Sequence, residues 1–127
     1  LLNVVKKDCR QLTCHIRGGD FNLKHRPQRH QITSIMRLCE SLSLKLAVVT
    51  NEKTWAKQLL GEMPYKFCLG ESALDDFLEL ASSSNLYLSN STFSFWAALV
   101  ASRSHNATVY LPDNWSYSDL LMGSAQT

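Results

Sequence analysis

Two short stretches of this chain collect the residue types that hold anions. In His15-Ile16-Arg17-Gly18-Gly19-Asp20, a permanently charged arginine with a fork of N–H donors precedes two glycines that let a ligand approach the backbone closely. On an extended segment His15 and Arg17 project to the same side. The chemistry on offer is a grip on a phosphate oxygen, and the plainer reading is a tight turn in which Arg17 pairs with Asp20 or another carboxylate. In Ser89-Asn90-Ser91-Thr92-Phe93-Ser94-Phe95-Trp96-Ala97-Ala98, small hydroxyl residues lead into an apolar helical segment. A helix opens with unpaired N–H groups and the positive end of its dipole, which together attract an anion. Plain N-capping by Ser91 or Thr92 needs one hydroxyl, and this run holds several.

Weaker candidates flank these two. Asp75-Asp76 stands where a helix should begin, so it either complements the dipole or turns one carboxylate towards a donor-rich base such as guanine. Adjacent carboxylates are poorly spaced for a divalent metal. The basic stretch Lys24-His25-Arg26-Pro27-Gln28-Arg29-His30 could steer an anion, although charge runs in loops are usually just solvated, and His25 and His30 titrate in the range useful for proton transfer. The sequence contains no GxSxG, Walker loop, GxGxxG or metal-ligand cluster, which argues against hydrolase, P-loop and dinucleotide readings.

The elements that must position these groups follow from periodicity. Gln11–Ile16 alternates and predicts a strand ending at the Arg17–Asp20 turn, and the polar segment Phe21–His30 predicts a surface loop. Ile32, Ile35, Met36, Cys39 and Leu42 recur at helical spacing and predict one buried stripe. Leu44–Thr50 reads as a strand covered on both faces. A helix capped by Thr50 or Asn51 should follow, with Trp55, Leu59 and Leu60 inward and a stop at Gly61. Tyr65–Leu69 is the next strand, and Leu74, Phe77, Leu78 and Ala81 mark the next helix, at whose end Ser82-Ser83-Ser84 forms a small polar patch. Leu86–Ser89 predicts a strand, Phe93–Ser102 a helix, Thr108–Leu111 a last strand and Tyr117–Met122 a short terminal helix. This β-α alternation predicts a parallel sheet with right-handed crossovers, a Rossmann-like α/β domain whose ligands bind past the carboxyl ends of its strands.

Composition sets the bounds. The 127 residues, 45% hydrophobic and 19% charged, suit one globular domain over residues 1–127. A net charge of +2 advertises no nucleic-acid partner, and no apolar run approaches a membrane span. The opening Leu1-Leu2-Asn3 has neither Met nor the order of a secretory signal, so a trimmed or partial chain is expected. Cys9, Cys14, Cys39 and Cys68 have no zinc spacing and are expected as reduced, mostly buried thiols, in keeping with the cytoplasm. The N-x-S/T triplets at Asn90, Asn106 and Asn114 would instead suit a luminal protein.

Taken together the motifs resemble those of a known family. His15-Ile16-Arg17-Gly18-Gly19-Asp20-Phe21 resembles the HxRRGDY motif of the α-1,2-fucosyltransferases, glycosyltransferase family 11, and Ser89 to Ala98 is similar to their SNSTFSWWAA motif. Asp75-Asp76-Phe77-Leu78-Glu79-Leu80-Ala81 resembles the family's acidic helix start, and Leu111-Pro112-Asp113-Asn114-Trp115 its closing P-x-x-W stretch. The resemblance implies one half of a GT-B fold, the half that binds GDP-fucose, for metal-independent inverting transfer to a sugar hydroxyl, expected to be that of a galactoside. It implies a donor-binding set of His15, Arg17, Gly18, Gly19, Asp76, Asn90, Ser91, Thr92 and Phe93. Arg17, Ser91, Thr92 and Phe93 would hold the β-phosphate, and Asp76 would face guanine. Arg17, Asp20 and His25 are the catalytic candidates.

The implied partners are a GDP-sugar donor and a glycan acceptor, with no cofactor and no metal. The acceptor half is expected from another domain or a second copy, and the compartment would be the Golgi lumen for a piece of a eukaryotic enzyme. Gly18 stands where the family has a second arginine, and the alternative is a non-catalytic nucleotide- or glycan-binding remnant of the family.

Overall fold

A computed structural model of the protein describes residues 8–16, 29–68, 70–89 and 91–112. The elements run β1 (Gln11–Ile16), α1 (Arg29–Leu42), β2 (Lys45–Thr50), α2 (Lys53–Leu60), β3 (Lys66–Phe67), α3 (Ala73–Ala81), β4 (Asn85–Tyr87), α4 (Thr92–His105) and β5 (Thr108–Tyr110). All four pairings are parallel and the strand order is β3-β2-β1-β4-β5. The fold is therefore the expected Rossmann-like α/β arrangement. From β1 the chain works outward to β3 at one edge, then returns to lay β4 against the other side of β1. That reversal opens a crevice past the carboxyl ends of β1 and β4, where open parallel sheets take their ligands.

Strand alternation divides β1 between two cores. Leu12, Cys14 and Ile16 join Ile32 and Ile35 of α1, Ala56 and Leu60 of α2, and Leu46 and Val48 of β2. On the other face Val49, Leu86 and Leu88 meet Leu80 of α3 and Ala97 and Ala98 of α4, with Phe77 and Phe93 packed alongside. Thr13 and His15, also buried, alternate with the first set and so face α3 and α4. The alanines Ala97, Ala98 and Ala101 let α4 lie close against the sheet. The helix stops at Asn106, which takes the left-handed conformation (φ 57°) that asparagine tolerates.

Several expected details are corrected. Met36 and Leu42 of α1, and Leu74 and Leu78 of α3, are exposed rather than buried; α3 instead buries Leu80 and Ala81. Each helix covers the sheet with a narrower stripe than its apolar residues suggest, because each has only one sheet face to meet. The helix after β2 is preceded by Glu52 with no side-chain cap, and Thr50 Oγ1 instead accepts the Glu52 N–H at 3.1 Å, forming a turn before the helix. The third strand spans two residues rather than five, and the fourth ends at Tyr87, leaving Ser89 beyond it. The helix after β4 begins one residue earlier than expected and runs three further, to His105.

Ser82, Ser83 and Ser84, the small polar patch at the end of α3, are buried; Ser82 and Ser83 donate their hydroxyls back to the Glu79 carbonyl at 3.1 and 2.8 Å. Of the four free thiols only Cys14 is fully buried; Cys39 and Cys68 are half-buried and Cys9 is exposed. The loop Phe21 to Gln28 and the segment from Asp113 onward, including the expected terminal helix, lie outside the described residues.

Candidate functional site

Two buried segments, far apart in sequence, meet at the mouth of the crevice. Ser89 follows β4, and its hydroxyl lies 2.6 Å from His15 Nδ1 on β1. The same oxygen lies 2.8 Å from Ser91 Oγ and 3.1 Å from Ser94 Oγ. Ser91 is the N-cap of α4, in extended conformation, and its side chain accepts the Ser94 N–H at 3.3 Å. Ser94 donates its hydroxyl to the Ser89 carbonyl at 2.9 Å, with the Ser91 carbonyl at 3.2 Å. The imidazole and the three hydroxyls are all buried, and each has a partner, which is what makes a polar seam tolerable inside a fold of this size. His15 also packs its ring on Phe93, 5.3 Å between centroids, and Phe93 meets Phe77 of α3 edge-on at 5.9 Å.

The network fixes the first turn of α4 at the edge of the crevice. That turn carries no acidic residue, so its N–H groups and dipole retain their positive character, and Thr92 stands exposed upon it. Capping does not exclude ligand holding: Ser91 is a cap, and the turn it caps stands past the carboxyl end of β4, the side on which open parallel sheets take ligands.

The acidic pair divides its labour. Ser72 caps α3 by accepting the Asp75 N–H at 3.1 Å, while Asp75 Oδ2 accepts the Glu71 N–H at 3.1 Å. Asp75 is therefore occupied with the helix start. Asp76 turns towards the chain leaving β3, where a Cβ on Gly70 would run into its carboxylate. Burial pushes the Asp76 carboxyl above its ordinary range, Asp75 adds to this, Lys53 of α2 pulls the other way, and Glu79 raises it further. A half-buried carboxylate held against a glycine backbone is a directional acceptor.

Of the residues singled out from sequence, the structure brings His15, Ser91 and Phe93 together and sets Thr92 beside them. Asp76 lies on the neighbouring helix start, next to Phe77, without a hydrogen bond to the cluster described here. Arg17, Gly18, Gly19, Asp20, His25 and Asn90 lie outside the described residues. Ser89 and Ser94 were not among the expected donor-binding residues. Ser94 carried a signal, since it shares the i, i+3, i+4, i+7 stripe with Ala97, Ala98 and Ala101, and a hydroxyl on a buried stripe needs a partner. Cys14 points to the opposite face, where burial and the nearby Cys39 and Cys68 hold its thiol protonated. A cavity of about 660 Å³ at the amino ends of the strands, lined by Gln11, Met36, Cys39, Leu44, Met63 and Tyr65 among others, is remote from this site.

The sequence model of Glycosyl transferase family 11 matches residues 2–126, nearly the whole chain. The chain belongs to that family. Comparison with curated proteins finds no match. Membership in a glycosyltransferase family implies a sugar donor and an acceptor, and gives the hydroxyl-lined helix start at the switch point a role to be tested. No helix among the described residues is long and apolar enough to cross a membrane.

Proposed function

We propose that this glycosyltransferase domain binds GDP-fucose in the crevice between β1 and β4 and serves metal-independent, inverting transfer of fucose to a galactoside hydroxyl. The observation that carries the reading is the convergence of His15, at the carboxyl end of β1, with the capped and unneutralised N-terminus of α4 through Ser89. A diphosphate needs such a place: oriented N–H and O–H donors at a site where competing water is limited.

In a one-step displacement the acceptor oxygen bonds to the anomeric carbon of fucose while the bond to the β-phosphate oxygen breaks. The electron pair leaves with GDP, and the acceptor proton passes to a base, for which Asp20 and His25 are the candidates from sequence. Negative charge therefore grows on the β-phosphate. Arg17, one residue past β1, and the donors of Ser91, Thr92 and Phe93 would stabilise that charge, with Gly18 and Gly19 letting the backbone approach and Asn90 belonging to the same donor-binding set. Asp76 would accept hydrogen bonds from the guanine edge.

Calorimetric titration with GDP-fucose, GDP-mannose, UDP-sugars and GDP, with and without Mg²⁺, tests this directly. Preference for guanine nucleotides without a metal requirement supports it; a UDP-sugar preference or an absolute metal requirement overturns it. Arg17→Ala is expected to lower kcat by ~10²–10³, the loss typical of one preorganised donor. Gly18, in the place of a second arginine, favours one other reading, a domain that binds the nucleotide without transferring the sugar. Saturable GDP binding with neither transfer nor hydrolysis of GDP-fucose would select it.

A further inference from the structure

The carboxyl ends of β2 and β3 carry two opposite charges, of which the expected donor-binding set uses one. β2 and β3 run side by side to Val48 and Phe67. From there α2 and α3 leave over opposite faces of the sheet: Ala56 and Leu60 of α2 pack with Leu46 and Val48, and Leu80 of α3 packs with Val49. Lys53 is the first residue of α2, and Asp76 stands in the first turn of α3. The two helix starts thus flank the strand ends, one with a cation and the other with a carboxylate.

Lys53 is placed against local preference. A cation in a first turn opposes the helix dipole, and α2 has neither an acidic residue there nor a side-chain cap to offset it. What favours the lysine lies outside its own helix. Its ammonium stands over the Phe67 ring, 5.8 Å from the centroid. Across the strand ends, burial and then Asp75 raise the Asp76 carboxyl, and Lys53 acts the other way, towards the ionised form. That carboxylate stands against Gly70, so its place is fixed by backbone.

Guanine presents an acceptor and two donors along one edge: O6, then N1–H, then the 2-amino group. A carboxylate can accept from the two donors, and an ammonium on the other wall can donate to O6. Adenine carries an amino donor in the place of O6, which an ammonium would oppose. We infer that Lys53 is a specificity-determining residue for the donor nucleotide, its ammonium donating to guanine O6 while Asp76 accepts from the same edge. The inference rests on the reading that a GDP-sugar lies past the strand ends with its base at Asp76, and it adds the residue that rejects adenine. The strand order supports the placement. β2 and β3 lie two and three strands from β4, ~10–14 Å at the usual spacing, a span that suits a nucleoside diphosphate with its β-phosphate at α4.

The test is the preference for GDP over ADP, measured by calorimetry on the full chain, with ADP titrated alone and against bound GDP. Lys53→Met keeps the stem and removes the donor at an exposed position. It is expected to weaken GDP about 10-fold, the value of a hydrogen bond to a charged group, and to leave ADP unchanged or tighter. IDP, which keeps O6 and lacks the 2-amino group, should lose as much as GDP does. A GDP-to-ADP preference within about twofold of wild type, IDP spared by the change, or GDP and ADP weakened alike, as phosphate contact or general loss of structure would give, each overturn the inference and leave the donor reading intact. Wild-type protein that binds ADP as well as GDP, or binds neither, overturns both.

Discussion

Two helices begin at the same edge of the sheet, and their first turns are built to opposite electrical ends. Both α3 and α4 are capped by a serine whose oxygen accepts the N–H three residues on, Ser72 from Asp75 and Ser91 from Ser94. The turn of α3 carries Asp75 and Asp76, which answer its dipole from within the chain. The turn of α4 carries no acid; in the positions around its cap stand the neutral hydroxyls of Ser89 and Ser94, tied back to His15. Identical capping geometry thus leaves one helix start neutralised and the other positive. The lesson is that the charge a helix N-terminus presents depends on the residues it omits as much as on those it contains.

The sharpest way to break this contrast is to give α4 what α3 already has. Thr92→Asp places a carboxylate on the exposed first turn and is expected to weaken GDP by ~100-fold or more, since like charges a few ångströms apart at a protein surface repel by several kcal/mol. The same change should stabilise the fold by about 0.3–1 kcal/mol through the dipole, so urea denaturation and calorimetry should move in opposite directions. A variant that is destabilised and still binds GDP would show that the positive helix start is not the seat.

Asp76 sharpens the comparison from the other helix. Asp76→Asn is expected to lower GDP affinity about 10-fold and to reduce the preference for guanine over adenine nucleotides, as loss of one charged acceptor would. Its effect on stability has a definite sign. The folded carboxyl titrates above its unfolded value, chiefly through burial and then through Asp75, so the fold favours the protonated form. Stability linked to Asp76 is fully present below the ordinary carboxylate pKa and is lost as pH rises through the raised folded value. The Asn variant should therefore melt above wild type at neutral pH, and the difference should shrink on acidification. A lower melting temperature for the variant at neutral pH would contradict the burial argument.

The smallest difference comes from removing the caps themselves. Ser72→Ala and Ser91→Ala should each cost about 1 kcal/mol in stability, measured by urea denaturation. Only Ser91→Ala should also weaken GDP. Equal effects on binding would mean that α3 and α4 contribute alike, and the contrast between them would fail.

Much of this was legible in the sequence because it is local. The alternation in Gln11–Ile16 matches β1 residue for residue, and the hydroxyl run beside an apolar segment located the start of α4 to within one residue. The apolar stripes were less well read. Leu74 and Leu78 have the spacing of core residues, yet they stand in solvent because α3 meets the sheet through Leu80 and Ala81 and its neighbour through Phe77. Spacing identifies a helix, but the side it buries depends on what lies across from it. Asp75 and Asp76 look alike in sequence, and only the backbone geometry separates them, with Asp75 accepting the Glu71 N–H and Asp76 standing against Gly70.

The sequence by itself determined the element types, their order and the chemical character of the two motifs, since each depends on periods and caps a few residues long. Only the tertiary structure decided that β4 returns to pair with β1, and hence that His15 and Ser89, 74 residues apart, share a hydrogen bond. That contact arises from which strands become neighbours, a choice made by burying both faces of one sheet at once, and no local pattern in either segment encodes it.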